Sequence, residues 1–155
     1  MNKTLVFGII LIILVAVIGV ALSPAAENQQ KKETITLVND AAQQIQLKGE
    51  AAFPEFYNTP WYYGDKYVFV WRIDGVRVVY PPDPRGIGKN QSNPKDSTGK
   101  PIGMLFIQTA INGGGWIEYL WPKPGTNTPT TKITYIKEAK YNNQTYLIGS
   151  GYYTN

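Results

Sequence analysis

Histidine and cysteine are both absent from the 155 residues. The commonest general base, the commonest metal ligand and the thiol nucleophile are therefore missing. Carboxylates do not replace them, because Asp74, Asp83, Asp96 and Glu118 are too scattered for a calcium loop or a catalytic carboxylate pair. Gly86 and Gly88 lack the spacing of a phosphate-binding loop. An enzyme is not expected, and neither is a cofactor or a metal. The chain does hold eleven tyrosines and four tryptophans, all after Phe56. Such a supply suits an aromatic-lined pocket or an interface.

Tyr67, Phe69 and Trp71 recur at every second position and so share one face of a strand. They are either ordinary core or part of a cavity wall. Trp116 has the opposite parity to Tyr119 and Trp121, so either Trp116 or the Tyr119/Trp121 pair can face a pocket. Holding a buried carboxylate requires lysine or arginine. Lys132, Lys123 and Arg85 are the candidates, with a solvated surface position as the competing reading for each. Tyrosine hydroxyls, with Tyr80 and Tyr135 in the candidate set, supply further hydrogen bonds. The net charge of +4 is spread without a dense basic patch, which argues against nucleic acid. Asn90-Gln91-Ser92 and Asn143-Gln144-Thr145 match the N-glycosylation pattern, a triplet that arises easily by chance.

The elements that must position these residues can be read in order. Ile35, Val38, Ala42 and Ile45 form one stripe of an amphipathic helix over 31–52, which Pro54 ends or kinks. Residues 66–73 read as a strand that is apolar on both faces, as if covered on two sides. Asp74-Gly75 is a tight turn and 76–80 the returning strand, stopped by Pro81-Pro82. The long, turn-rich loop 83–100 is of the kind that often carries function. A short helix over 101–112 follows, then three glycines and strands at 116–121, 132–137 and 145–152. The sum is an α+β fold, a sheet of about five antiparallel strands with helices on one side.

Before all this, residues 5–22 contain eighteen positions without a charge. That length and hydropathy predict a single membrane-spanning helix, making 1–26 an anchor and 27–155 one outer domain. Ser23-Pro24-Ala25-Ala26 is a poor cleavage site; were it used, the domain would be secreted. Either outcome places the body outside the cytoplasm, at the cell membrane in the first case.

YVFVWRIDGVRVVYPPDPRGIGKN, PKDSTGKPI, NGGGWIEYLWPKPG, KITYIKEA and YLIGSGYY stand in the order and spacing of a known family. Over 65–153 the chain resembles the single Cache domain, the extracytoplasmic relative of the PAS fold in chemoreceptors and sensor histidine kinases. The resemblance implies a long N-terminal helix leading into a PAS-like sheet of five or six antiparallel strands. It also implies a pocket for a small molecule, often a short organic acid. Tyr119 resembles the pocket tyrosine, which favours the Tyr119/Trp121 side. The ligand-binding candidates are then Phe69, Trp71, Tyr80, Arg85, Tyr119, Trp121, Lys132 and Tyr135. One departure is Tyr80, where the family often has histidine before proline. The sequence also ends at Asn155 with no output module, so signalling is expected through a membrane receptor or kinase partner. A homodimer through the 31–57 helix is a further expectation. The alternative function is a ligand-free structural or protein-interaction domain of a membrane complex.

Overall fold

The computed structural model describes residues 22–154. Helix α1 covers Pro24–Lys48. Its first turn is capped by Ser23, whose hydroxyl accepts from Ala26 N at 3.2 Å, and Pro24 occupies the first helical position, where no N–H is needed. The helix ends before Pro54, at Gly49, which takes a positive φ of 59°. The Tyr141 ring occupies the space a Cβ at Gly49 would need, so glycine serves both the turn and the contact. A 3-10 helix, Gly49–Tyr57, continues the path.

The expectation of a membrane-spanning helix is corrected here. Among the described residues no helix is long and apolar enough to cross a membrane. The one long helix is α1, which begins at Pro24 and alternates buried with charged positions. The tract 5–22 itself lies, but for Leu22, outside the described residues.

Seven strands follow: β1 Tyr62–Tyr63, β2 Lys66–Tyr67, β3 Phe69–Arg72, β4 Arg77–Val79, β5 Gly115–Pro122, β6 Pro129–Tyr141 and β7 Gln144–Tyr153. β1 and β2 form a small hairpin of their own. The other five make one antiparallel sheet in the order β4-β3-β7-β6-β5. This is the PAS-like α+β architecture expected from the sequence. Helix α2, Ile102–Ile111, lies between β4 and β5 in the chain.

The two helices lie on opposite faces of the sheet, not on one side as expected. Val38, Ala41, Ala42 and Ile45 of α1 pack against Val70, Ala139 and Ile148. Ile102, Phe106 and Ala110 of α2 pack against Phe69, Trp71, Tyr119 and Leu147. The physical reason is the two-sided apolarity of β3: both of its faces need cover, and one helix covers one face.

Candidate ligand-binding site

The α2 side of the sheet is built from rings. Phe106 stacks on Phe69 with centroids 5.4 Å apart, meets Trp71 at 5.4 Å and Tyr119 edge-on at 5.2 Å. Phe69 faces Gly149 across the β3–β7 ladder, where a Cβ would overlap the Phe69 ring. The glycine lets the ring lie against the strand. These rings, with Tyr67, Tyr80 and Trp121, line a partly open cavity of about 20 Å³.

Arg77 is the charged member of that wall. It is only 9% exposed, and its guanidinium lies 4.1 Å from the Tyr80 ring centroid and 6.0 Å from that of Trp71. Nη2 donates to Gln91 Oε1 at 3.1 Å. Nε is buried and has no acceptor, and neither has the indole Nε1 of Trp71. Among the described residues no carboxylate forms an ion pair with Arg77; Asp83 pairs with Arg85 instead. Burial pushes the Arg77 pKa down from the usual arginine value, against the pull of Tyr80, Tyr67 and Asp83. A guanidinium nevertheless stays charged in proteins.

A bulge aims Arg77 into this wall. Val70 pairs with Val79, but Trp71 pairs with Arg77, leaving Val78 as the extra residue. Arg77 and Val79 have the same parity, yet Val79 joins the α1 core and Arg77 the aromatic cavity.

Tyr80 joins the parts. Its hydroxyl accepts from Trp121 Nε1 at 3.1 Å and lies 3.5 Å from the Tyr67 hydroxyl. Arg77, Tyr80 and Trp121 also line an open outer groove of about 500 Å³, together with Arg85 and Lys123. These three residues thus separate the inner cavity from the groove.

The loop between β4 and α2 is tied down at both ends. Arg77 N donates to Lys89 O at 3.1 Å, and Gly88 N donates to Arg77 O at 2.8 Å. Further on, Asp96 Oδ1 accepts from Thr98 N, Thr98 Oγ1 and Lys100 N, while Oδ2 accepts from Leu120 N of β5 at 3.1 Å. The Thr98 hydroxyl and these amides hold the Asp96 pKa down at about 2. Between the anchors, Pro94 reaches the cavity wall.

Lys132 is wholly buried, with Nζ 3.7 Å from the Tyr67 ring centroid and 4.9 Å from that of Tyr153. Nζ has no hydrogen-bond partner. Burial lowers its pKa to about 7, with the Asp65 charge pulling the other way. Opposite Lys132 on β5 stands Tyr119, whose hydroxyl is 3.1 Å from that of Thr134 and whose pKa burial raises.

Of the residues singled out in the sequence, Phe69, Trp71, Tyr80, Tyr119 and Trp121 line one cavity. Lys132 sits behind it, against the Tyr67 ring that forms part of its wall. Arg85 is not brought in: its side chain is 87% exposed and bonded to Asp83 at 2.8 Å. Tyr135 is on the other face, where it packs against Trp116 at 5.1 Å and the α1 core. Its odd numbering, against the even Lys132 of the same strand, already separated the two. Arg77 was not among the residues singled out; strict alternation would put it on the face of Val79, and the sequence carries no signal for the bulge that turns it to the cavity.

With sheet order and aromatic cavity in view, the chain belongs to the single Cache domain 2 family, whose model matches residues 19–155. It is an extracytoplasmic sensor domain of the kind found in chemoreceptors and sensor kinases, sensory rather than catalytic. It is 30% identical over 89 residues to the sensor histidine kinase MctS of Rhizobium johnstonii, covering 57% of this chain and 19% of that protein. It is 29% identical over 119 residues to the methyl-accepting chemotaxis protein McpP of Pseudomonas putida, covering 76% of this chain and 20% of that protein. The chain thus spans about a fifth of the length of the curated relatives it matches. A solved Cache chemosensory domain, described for its recognition of carboxylic acid, has the same fold, with a TM-score of 0.68 and 22% identity over 86% of this chain and 100% of that one.

Proposed function

We propose that the aromatic cavity binds a short organic acid by its carboxylate and that a signalling partner of the chemoreceptor or histidine kinase kind reads the bound state. The observation that carries this is the pair of buried N–H donors without acceptors, Arg77 Nε and Trp71 Nε1, on two residues paired across β3 and β4. Buried donors left unpaired are costly, and so is a buried cation without a counter-charge. A carboxylate answers both at once, since it accepts hydrogen bonds and carries the opposite charge. Its short apolar body would meet Phe69, Ile102 and Phe106. The carboxylic acid recognised by the solved Cache relative is of the same class.

A space of about 20 Å³ holds one water and no organic acid. Binding therefore has to move part of the wall, and half-buried Tyr80 and Trp121, joined by one hydrogen bond, line both the cavity and the outer groove. The same small volume favours the second reading, a domain that keeps the fold, binds nothing and serves as an interaction module. Pairing of two copies through α1 would have to use its outer face, because Val38, Ala42 and Ile45 are spent on the sheet.

A calorimetric and thermal-shift screen of short monocarboxylates, amino acids and sugars on the whole chain separates the readings. A monocarboxylate should bind with Kd below about 1 mM, and Arg77→Met should weaken it by about tenfold or more, the loss of a charge-assisted hydrogen bond. If no acid binds, the interaction-domain reading stands.

A further inference from the structure

Lys132 has no role in the carboxylate contact just described, yet its amine is enclosed on every side. Tyr67 of β2 and Tyr153 of β7 face it with their rings, and Tyr119 of β5 stands opposite it across the ladder. The acid whose charge acts on it is Asp65 of the β1–β2 turn, whose carboxylate lies 4.0 Å from Lys123, and Lys123 reaches over the Tyr153 ring at 5.6 Å. No carboxylate contacts Nζ itself among the described residues. An amine so placed is poised between two states: burial disfavours its charge, while two ring faces favour it. The Tyr67 ring that Nζ faces is part of the cavity wall, and so is Tyr119, the residue paired with Lys132 across the ladder.

We infer that a carboxylate entering the cavity draws one proton onto Lys132, so that the domain binds the acid, carboxylate plus proton, rather than the carboxylate alone. This rests on the carboxylate reading above. The step is an addition of one H⁺ from solvent to the neutral Nζ amine, giving an ammonium; no other bond forms or breaks. An anion in the cavity stabilises the ammonium through a poorly screened interior, without having to touch it. By linkage, whatever the anion does for the proton, the proton does for the anion. The amine titrates at about 7 before the anion arrives, which sets the range in which the coupling is felt. The rest of the neighbourhood is silent there. Burial raises the pKa of Tyr67, Tyr119 and Tyr153, and the chain has no histidine or cysteine. A proton taken up by a side chain between pH 7 and 9 thus points to Lys132.

The test is calorimetry of the whole chain with acetate and propionate as probes, from pH 6 to 9, in pairs of buffers that differ in ionisation enthalpy. Near pH 8.5 the buffer dependence should report close to one proton taken up per acid bound, and affinity should fall by up to about tenfold per pH unit above 7. Lys132→Met should abolish the uptake and flatten the profile, with near-ultraviolet circular dichroism confirming its fold. The wild-type buffer dependence needs no variant, so the proposal stays testable should Lys132→Met not fold. Binding that is measurable but constant from pH 6 to 9 overturns the proton coupling and leaves the carboxylate reading intact. No binding of either probe at pH 6 removes both.

Discussion

On the α1 side of the sheet Val38, Ala41, Ala42 and Ile45 meet Val70, Ala139 and Ile148. On the α2 side Phe69, Trp71, Phe106 and Tyr119 meet one another, with Arg77 and Lys132 buried nearby. The first face holds aliphatic groups of the size that fills a helix–sheet interface, including two alanines that let α1 approach closely. It is mostly aliphatic, although Thr34 Oγ1, Ser150 Oγ and Tyr152 OH are also buried on that side without hydrogen-bond partners. The second face could be filled by aliphatic groups too, without an unpaired guanidinium, an unpaired amine and an unpaired indole N–H. Each of these costs stability. Groups that cost stability and gather around one cavity are the mark of a binding site. On the carboxylate reading proposed above, one face of the sheet mainly holds the fold together and the other spends part of that stability on recognition.

Removing bulk from the first face should have the largest effect. Ile45 is wholly buried between α1 and the sheet. Ile45→Ala should cost about 2–5 kcal/mol in urea unfolding, while the folded fraction keeps its affinity for the acid within about twofold. A loss of affinity larger than the loss of stability explains would show that the two faces are not separable.

The second face should respond to pH between about 7 and 10 through its buried lysine, while the buried titratable groups of the first are tyrosines whose pKa burial raises. The Lys132 amine titrates at about 7 in the fold and near 10.5 in the unfolded chain. Between these values the unfolded chain holds the extra proton, so stability should rise as pH goes from about 7 toward 10. Above 10 the trend should reverse. Tyr67, Tyr119 and Tyr153 keep their protons in the fold because burial raises their pKa, and the unfolded chain loses them first. Lys132→Met should remove the rise below pH 10 and add about 1–3 kcal/mol near neutral pH, by replacing an unpartnered buried amine with an apolar chain. Thermal melts from pH 6 to 11 would check both. At the acid end, Asp96 is held at about 2, so its contribution should be full above the ordinary value of 3.8 and be lost progressively as pH falls from there to about 2.

Much of this contrast could be read from residue types and spacing. The double apolarity of 66–73, the ring positions Phe69 and Trp71 on one face, and the parity that set Trp116 apart from Tyr119 and Trp121 all follow from a period of two. The helix over 101–112 is present as Ile102–Ile111. What spacing does not carry is register and bulge. Trp116 pairs with Tyr135 and Tyr119 with Lys132, which puts the first pair on the α1 side and the second on the cavity side, and a strand's own sequence does not say whom it pairs with. The bulge at Val78 turns Arg77 to the opposite face from Val79, so the cation that lines the cavity among the described residues was invisible to alternation. Arg85, one of the cations chosen from the sequence, stayed in solvent because Pro84–Gly86 forms a surface turn capped by Asp83.

That last difference supplies the smallest expected effect and the sharpest check on where the anion sits. Arg85 and Arg77 both line the outer groove, but only Arg77 also lines the inner cavity. Arg85 is exposed, and its guanidinium already faces Asp83. An exposed charge of this kind is screened by salt beyond about 8 Å and adds little to the affinity of a ligand held indoors. Arg85→Ala should therefore change the affinity for a short acid by less than about twofold at physiological salt, with any change confined to the association rate at low salt. Tyr135→Phe, on the opposite face, should be equally quiet. Should Arg85→Ala weaken binding tenfold while Arg77→Met leaves it unchanged, the carboxylate lies in the groove and the aromatic face is core after all. The contrast between the two faces would then reduce to a difference in side-chain size.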